Sequence, residues 1–180
     1  MDETKGNTKK VPRLAIVLSV SVVLILIISL TIGKDIYEGR SQTLTSFSLI
    51  HFSGYLFFLL MPVEMAFIYY LTWYDQTTLI WFALVTAITA QYIDYLIGCT
   101  INSRVVNRFV SEKRILRAES YIRKYGNLTI FAFNFLPLSS PIIALAAGVL
   151  RFNLKDLFIY SVIGLFLKYL LLSFITDWAS

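Results

Sequence analysis

One stretch restricts this chain more than any other. Residues 131–148, FAFNFLPLSSPIIALAAG, are apolar enough for a lipid bilayer, yet Asn134, Pro137, Ser139, Ser140 and Pro141 sit near their centre. Each proline removes a backbone donor and resists a continuous helix. Broken backbone at membrane depth is tolerated only where protein or a water-filled cavity covers it. The stretch therefore predicts a segment that turns back on itself inside a membrane protein. Composition agrees with the membrane: 57% of the residues are hydrophobic, against roughly 45–50% in soluble domains.

The remaining runs follow the same logic. Residues 1–13 read as a basic cytoplasmic tail. Residues 14–33 are uncharged and long enough to cross a hydrocarbon core of about 30 Å. They exceed the apolar core of a signal peptide, about 7–15 residues, so they read as a first transmembrane helix. A membrane domain over residues 34–180 follows. Within it, residues 47–74 are apolar but interrupted by Pro62 and Glu64. Residues 79–100 form a span carrying Gln91 and Asp94, and residues 157–175 a final span carrying Lys168. Between them, residues 101–126 hold Arg104, Arg108, Lys113, Arg114, Arg117, Arg123 and Lys124, with Val105, Phe109, Leu116 and Ile122 at roughly helical spacing. This predicts a basic amphipathic helix on the membrane surface.

The net charge of +5 is concentrated in that loop, as the positive-inside rule expects, and does not indicate nucleic acid. Cys99 is the only cysteine, which excludes a disulfide within the chain, and His51 is the only histidine. No metal-ligand spacing, nucleophile–base pair or cofactor motif is present, so neither an enzyme nor a metal or cofactor is expected.

Counting crossings sharpens the fold. If every apolar run crossed once, the loop with seven Lys/Arg would face outside, against the positive-inside rule. The conflict disappears if residues 47–74 enter from outside, turn at Met61-Pro62-Val63-Glu64 and leave on the same side, with arms of about 12 residues or about 18 Å. Residues 128–150 pass the same test from the other side, because turning back keeps Arg151 and Lys155 in the cytoplasm. The expected fold is all-α: three spanning helices, two oppositely oriented re-entrant hairpins forming an inverted repeat, and the basic amphipathic helix. Paired interrupted segments in corresponding halves point to a central site.

The hairpin residues resemble the DedA family, whose shared core is the VTT or SNARE-associated domain. The likeness rests on MPVEM with Pro62 and Glu64, on AQYIDYLIG with Asp94, Tyr95 and Gly98, on AESYIRKYGN, and on FAFNFLPLSSPIIALAAG. It covers about residues 47–172. Asn134 and Ser140 stand where the family pattern has two arginines, which marks a divergent branch. The resemblance implies a flippase or scramblase acting on a phospholipid or a polyprenyl phosphate, with proton coupling through the acidic residues. The losses at Asn134 and Ser140 remove the bidentate fork that suits a phosphate.

Candidate site residues follow from cost. Charge at membrane depth is expensive and marks function by default. Glu64 reads as a protonation switch or as an acid at a helix N-terminus. Asp94, with Gln91 one turn earlier, reads as a second acid of the same cavity or as a partner of Arg104. Lys168 supplies the positive charge missing at Asn134 and Ser140, to a lipid phosphate or to Glu64 or Asp94, unless it snorkels to an interface. Asn134, Ser139 and Ser140 either bond a headgroup or satisfy the broken backbone. Arg151 meets a headgroup at the cytoplasmic face or anchors topology. Gly148 allows close helix packing. His51 is expected at the outer interface, and Tyr55, Tyr69, Tyr70, Trp73 and Tyr74 in an aromatic belt. Three functions stay open: lipid translocation in the plasma membrane with the N-terminus cytoplasmic, proton-coupled transport of a small solute or ion, and a scaffold binding anionic lipid. The expected partners are membrane lipids and protons, with room for a homo-oligomer.

Overall fold

The computed structural model describes residues 42–56, 63–100, 112–136 and 140–179. The tail, the first helix at 14–33, residues 101–111, and Pro62, Pro137 and Ser139 lie outside the described residues. Among the described residues the secondary structure is entirely helical: α1 (Leu44–Leu56), α2 (Val63–Leu71), α3 (Gln76–Thr100), α4 (Glu112–Tyr125), α5 (Asn127–Phe135), α6 (Ser140–Val149) and α7 (Leu154–Ala179).

Helices α3 and α7, of 25 and 26 residues, are long and apolar enough to cross a membrane. Both begin earlier than hydropathy alone indicates, because a cap sets the start. The Asp75 carboxylate accepts from the Thr78 N–H at 2.8 Å, and its carbonyl accepts from Leu79 at 3.1 Å, the geometry of an N-cap. The Thr78 bonds hold the Asp75 carboxyl below the usual carboxylate range. Asn153 caps α7 in the same way, accepting from the Lys155 N–H at 3.0 Å.

Each long helix buries one stripe. On α3 it runs through Ala83, Ala87, Ala90, Asp94 and Gly98, and on α7 through Leu157, Ser161, Leu165, Lys168 and Tyr169. The opposite faces are apolar too, with Trp81 63% and Phe174 69% exposed. A water-facing helix would place polar residues there. The outward faces of both long helices suit hydrocarbon.

Helices α1 and α2 have 13 and 9 residues, about 20 and about 14 Å, so neither spans a bilayer core alone. They run antiparallel. Near the turn Gly54 packs against Val63, and at the open end the Gln42 amide donates to Tyr69 Oη at 3.1 Å while Tyr74 Oη donates to the Gln42 carbonyl at 2.7 Å.

Helix α4 is basic and amphipathic as expected. Its register differs in detail: Ile115, Ala118 and Ile122 are buried, while Leu116, expected on the apolar face, is exposed. Gly126, at φ 56° and ψ −130°, joins α4 to α5 in a single residue, a conformation open to glycine. Helix α5 stops at Phe135, Leu136 is extended, and α6 begins at Ser140 with Pro141 in its first turn, where a missing N–H costs least. The apolar stretch thus holds two helices, one ending before residues 137–139 and one starting after them. Ser140 Oγ donates back to the Phe133 carbonyl at 3.0 Å, spanning the break.

Helix α6 is buried from Ser140 to Gly148 and lies directly on α3. A Cβ at Gly98 would strike the Leu145 carbonyl, and one at Gly148 the Tyr95 carbonyl. Helix α5 packs instead on α7, where a Cβ at Gly164 would come within 2.8 Å of the Phe131 carbonyl. At the end of α6, Arg151 N–H donates to Gly148 O at 3.0 Å and Phe152 N–H to Ala147 O at 2.8 Å. That is a Schellman ending with Arg151, at φ 50°, in the position that usually takes glycine.

Candidate functional site

Two polar clusters lie in this apolar bundle. The first joins α1, α2, α3 and α7. His51 and Tyr55, four residues apart, share a face of α1. Glu64 enters in the first turn of α2, and α7 contributes Lys168 and Tyr169. Lys168 Nζ donates to Glu64 Oε1 at 3.0 Å and to Tyr55 Oη at 2.7 Å. It also lies 5.3 Å from the Tyr55 ring centre and 5.1 Å from that of Tyr169, within cation–π range. The lysine side chain is 6% exposed and the glutamate 25%. Lys168 therefore does not snorkel outward; its charge is held inside and Glu64 is the accessible end of the pair. A buried ion pair persists only when further bonds complement it. Here the Tyr55 hydroxyl and the Tyr169 ring provide them.

From Tyr55 the hydrogen bonds continue in one direction. Lys168 has no lone pair to offer, so Tyr55 accepts from it and donates to Tyr169 Oη at 3.0 Å. Tyr169 then donates to His51 Nε2 at 2.6 Å. At the far end Thr86 Oγ1 donates to the Phe82 carbonyl at 2.8 Å, so it accepts from His51 Nδ1 at 2.7 Å. Both ends are fixed, and His51 is thereby set as the neutral tautomer with its hydrogen on Nδ1.

The second cluster joins α3, α5 and α7. Gln91 Nε2 donates to Asn134 Oδ1, and Asn134 Nδ2 donates to the Ile130 carbonyl at 2.9 Å and to Ser161 Oγ at 3.1 Å. Asn134 is fully buried. Gln91 Oε1 and Asp94 Oδ2 are buried without a hydrogen-bond partner among the described residues. A groove lined by Ile88, Gln91, Tyr92, Leu157, Phe158 and Ser161 opens beside them.

The structure thus brings Glu64 and Lys168 together and places Asn134 in a different cluster, while Asp94 is buried on α3 one turn past Gln91. Ser140 is buried at the break, and Arg151 is exposed beyond it. His51, expected at an interface, is fully buried, and so are Tyr55 and Tyr70 from the expected belt; Tyr69 and Trp73 remain exposed. Sequence reasoning missed Tyr169, Thr86 and Ser161 as polar partners. The available signal was the spacing of His51 and Tyr55, which puts two hydrogen-bonding groups on one face of an apolar helix. Among the described residues no three of His, Cys, Asp and Glu gather to hold a metal ion.

A family model for the VTT domain matches residues 45–177. No curated protein and no solved structure matches the chain. The match takes in both clusters, the break and the two long helices, and covers well over half of the sequence: the chain belongs to the DedA family, whose defining domain is VTT.

Proposed function

We propose that this chain moves a phosphate-bearing lipid across the plasma membrane, the headgroup passing the Lys168–Glu64 pair while the tails stay in the bilayer. The observation that carries this reading is that pair: a lysine held inside an apolar bundle and bonded to a carboxylate that is itself a quarter exposed. The lysine is the positive charge available to a headgroup where Asn134 and Ser140 are spent on internal bonds. In this reading α1–α2 dips in from outside and α5–α6 from the cytoplasm, the first helix, α3 and α7 span, the N-terminus is cytoplasmic, and α4 lies on the inner surface. The short α1 and α2, the broken α5–α6 and the basic face of α4 support it. A role in transport, not catalysis, fits the family.

Reconstitution tests the proposal. Proteoliposomes with tail-labelled lipids should show protein-dependent movement that falls about tenfold or more with Lys168→Met, the scale of one lost charge-assisted contact. Wild-type protein at the rate of empty liposomes would overturn it. Asp94 favours a second reading, proton-coupled uptake of a small solute, since its Oδ2 is buried and has no hydrogen-bond partner among the described residues. Gradient-driven solute uptake without lipid movement would select that one.

A further inference from the structure

We infer that the groove between α3 and α7 holds the hydroxyl of an uncharged membrane lipid of the diacylglycerol class, whose tails lie in the bilayer. This is a site apart from the Lys168–Glu64 pair, and it is read by binding, not by lipid movement. The orientation of two side-chain amides leads to it. The Ile130 carbonyl can only accept, so it receives the Asn134 amide N–H at 2.9 Å. Asn134 Oδ1 is then the end turned to Gln91, and it accepts from Gln91 Nε2. Gln91 is left with Oε1 as a spare acceptor, buried and with no hydrogen-bond partner among the described residues. Ser161 has the opposite surplus. Its Oγ accepts from Asn134 Nδ2 at 3.1 Å, so its own hydrogen is left to donate. Gln91 is 3% exposed and Ser161 1%, and both line the groove.

One spare acceptor on α3 and one spare donor on α7 are what a single hydroxyl satisfies, because it donates once and also accepts. A buried acceptor left empty costs free energy, so a group that fills it is favoured. Charge narrows the ligand. No Asp, Glu, Lys or Arg lines the groove, so a phosphate or an ammonium would enter without a counter-charge. The surroundings narrow it further. Apart from Gln91 and Ser161 the lining is apolar or aromatic. Tyr92, Leu154 and Phe158 belong both to the groove and to the exposed faces of the long helices. The groove is thus continuous with the surface that suits hydrocarbon, and a chain attached to the hydroxyl leaves sideways among lipid tails. A water molecule could meet the same two polar atoms but would gain nothing from that wall. A hydroxyl seated there ties α3 to α7 beside the Gln91–Asn134 bond.

Photolabelling tests the site. Full-length protein in liposomes is given one of three probes with the same diazirine-bearing tails: a diacylglycerol, its methyl ether, or a phosphatidylcholine. After irradiation, the labelled residues are located by peptide mass spectrometry. The diacylglycerol should label the segments around Tyr92 and Phe158 about tenfold more than either other probe, the scale of one hydrogen bond to a buried acceptor. Ser161→Ala, which removes the donor, and Ile88→Phe, which fills the groove, should each bring that labelling down to the level of the methyl ether. Equal labelling by the three probes, or stronger labelling by the phosphatidylcholine, would overturn the inference. Labelling of the groove by none of them would assign the two polar atoms to water and overturn it as well. Where a variant does not fold, the ranking of the probes on wild type decides. None of these outcomes touches the translocation reading, which stands or falls on lipid movement.

Discussion

Glu64 and Lys168 share one bond but not one environment, and their substitutions should differ accordingly. Glu64→Gln leaves an ammonium buried without its counter-charge and should destabilise the protein by about 3 kcal/mol. Lys168→Met should cost less, because the glutamate, a quarter exposed, can rehydrate. The double variant Glu64→Gln/Lys168→Met should recover most of the loss while remaining inactive, since uncharged groups of similar shape replace a buried pair cheaply. Thermal melts of the four proteins in detergent form the cycle, and additive losses would show that the pair is not coupled. His51, the chain's single histidine, gives a second test. Nitrogen NMR on histidine-labelled protein should show the hydrogen on Nδ1, and Tyr169→Phe, which strips Nε2 of its donor, should alter that signal and cost about 1–3 kcal/mol. The two charged residues were legible in the sequence because charge inside an apolar run is expensive wherever it folds. His51 and Tyr55 were not, because a tyrosine near the end of an apolar run looks like an interfacial anchor until its partner is known. That partner, Tyr169, lies 118 positions from His51, and no local pattern carries such a distance.

Helix ends in this chain are set by single side chains, and Asp75 shows how. Its carboxyl is held below the usual range by the Thr78 bonds at the start of α3. A carboxylate with a depressed folded pKa stabilises above its unfolded pKa, and that contribution is lost as pH falls through the folded value. Melting temperature should therefore drop more steeply on acidification in wild type than in Asp75→Asn, with the two curves converging at the acid end. Parallel curves would show that the cap carries no charge-dependent stability. Hydropathy located α3 and α7 but not their starts, which belong to Asp75 and Asn153. For α4 the basic face was plain from the arginines and lysines, yet the buried register of Ile115, Ala118 and Ile122 was not, since Leu116 is equally apolar and only packing chooses between neighbours. The end of α5 at Phe135, with Leu136 extended, was the most legible boundary, because the residue before a proline is pushed out of the helical region.

At the scale of the molecule, helix number and helix type follow from apolar run lengths, whereas pairing does not. Nothing in the sequence states that α6 lies on α3 and α5 on α7; that depends on where small residues let backbones meet, as at Gly98, Gly148 and Gly164. Sidedness is open to a direct test. With Cys99 replaced, a cysteine at Gln76 should react with an impermeant reagent from outside the cell, and one at Asn153 only after the inner face is exposed. Labelling of both from one side would remove the opposed hairpins. The separate attachment of α5 and α6 has a mechanical result. The two arms of one interrupted segment are glued to different long helices, so any parting or sliding of α3 against α7 must be taken up at the joint between them. Gln91 and Asn134 bond across that same divide. That clasp would have to unfasten before the two halves could move apart.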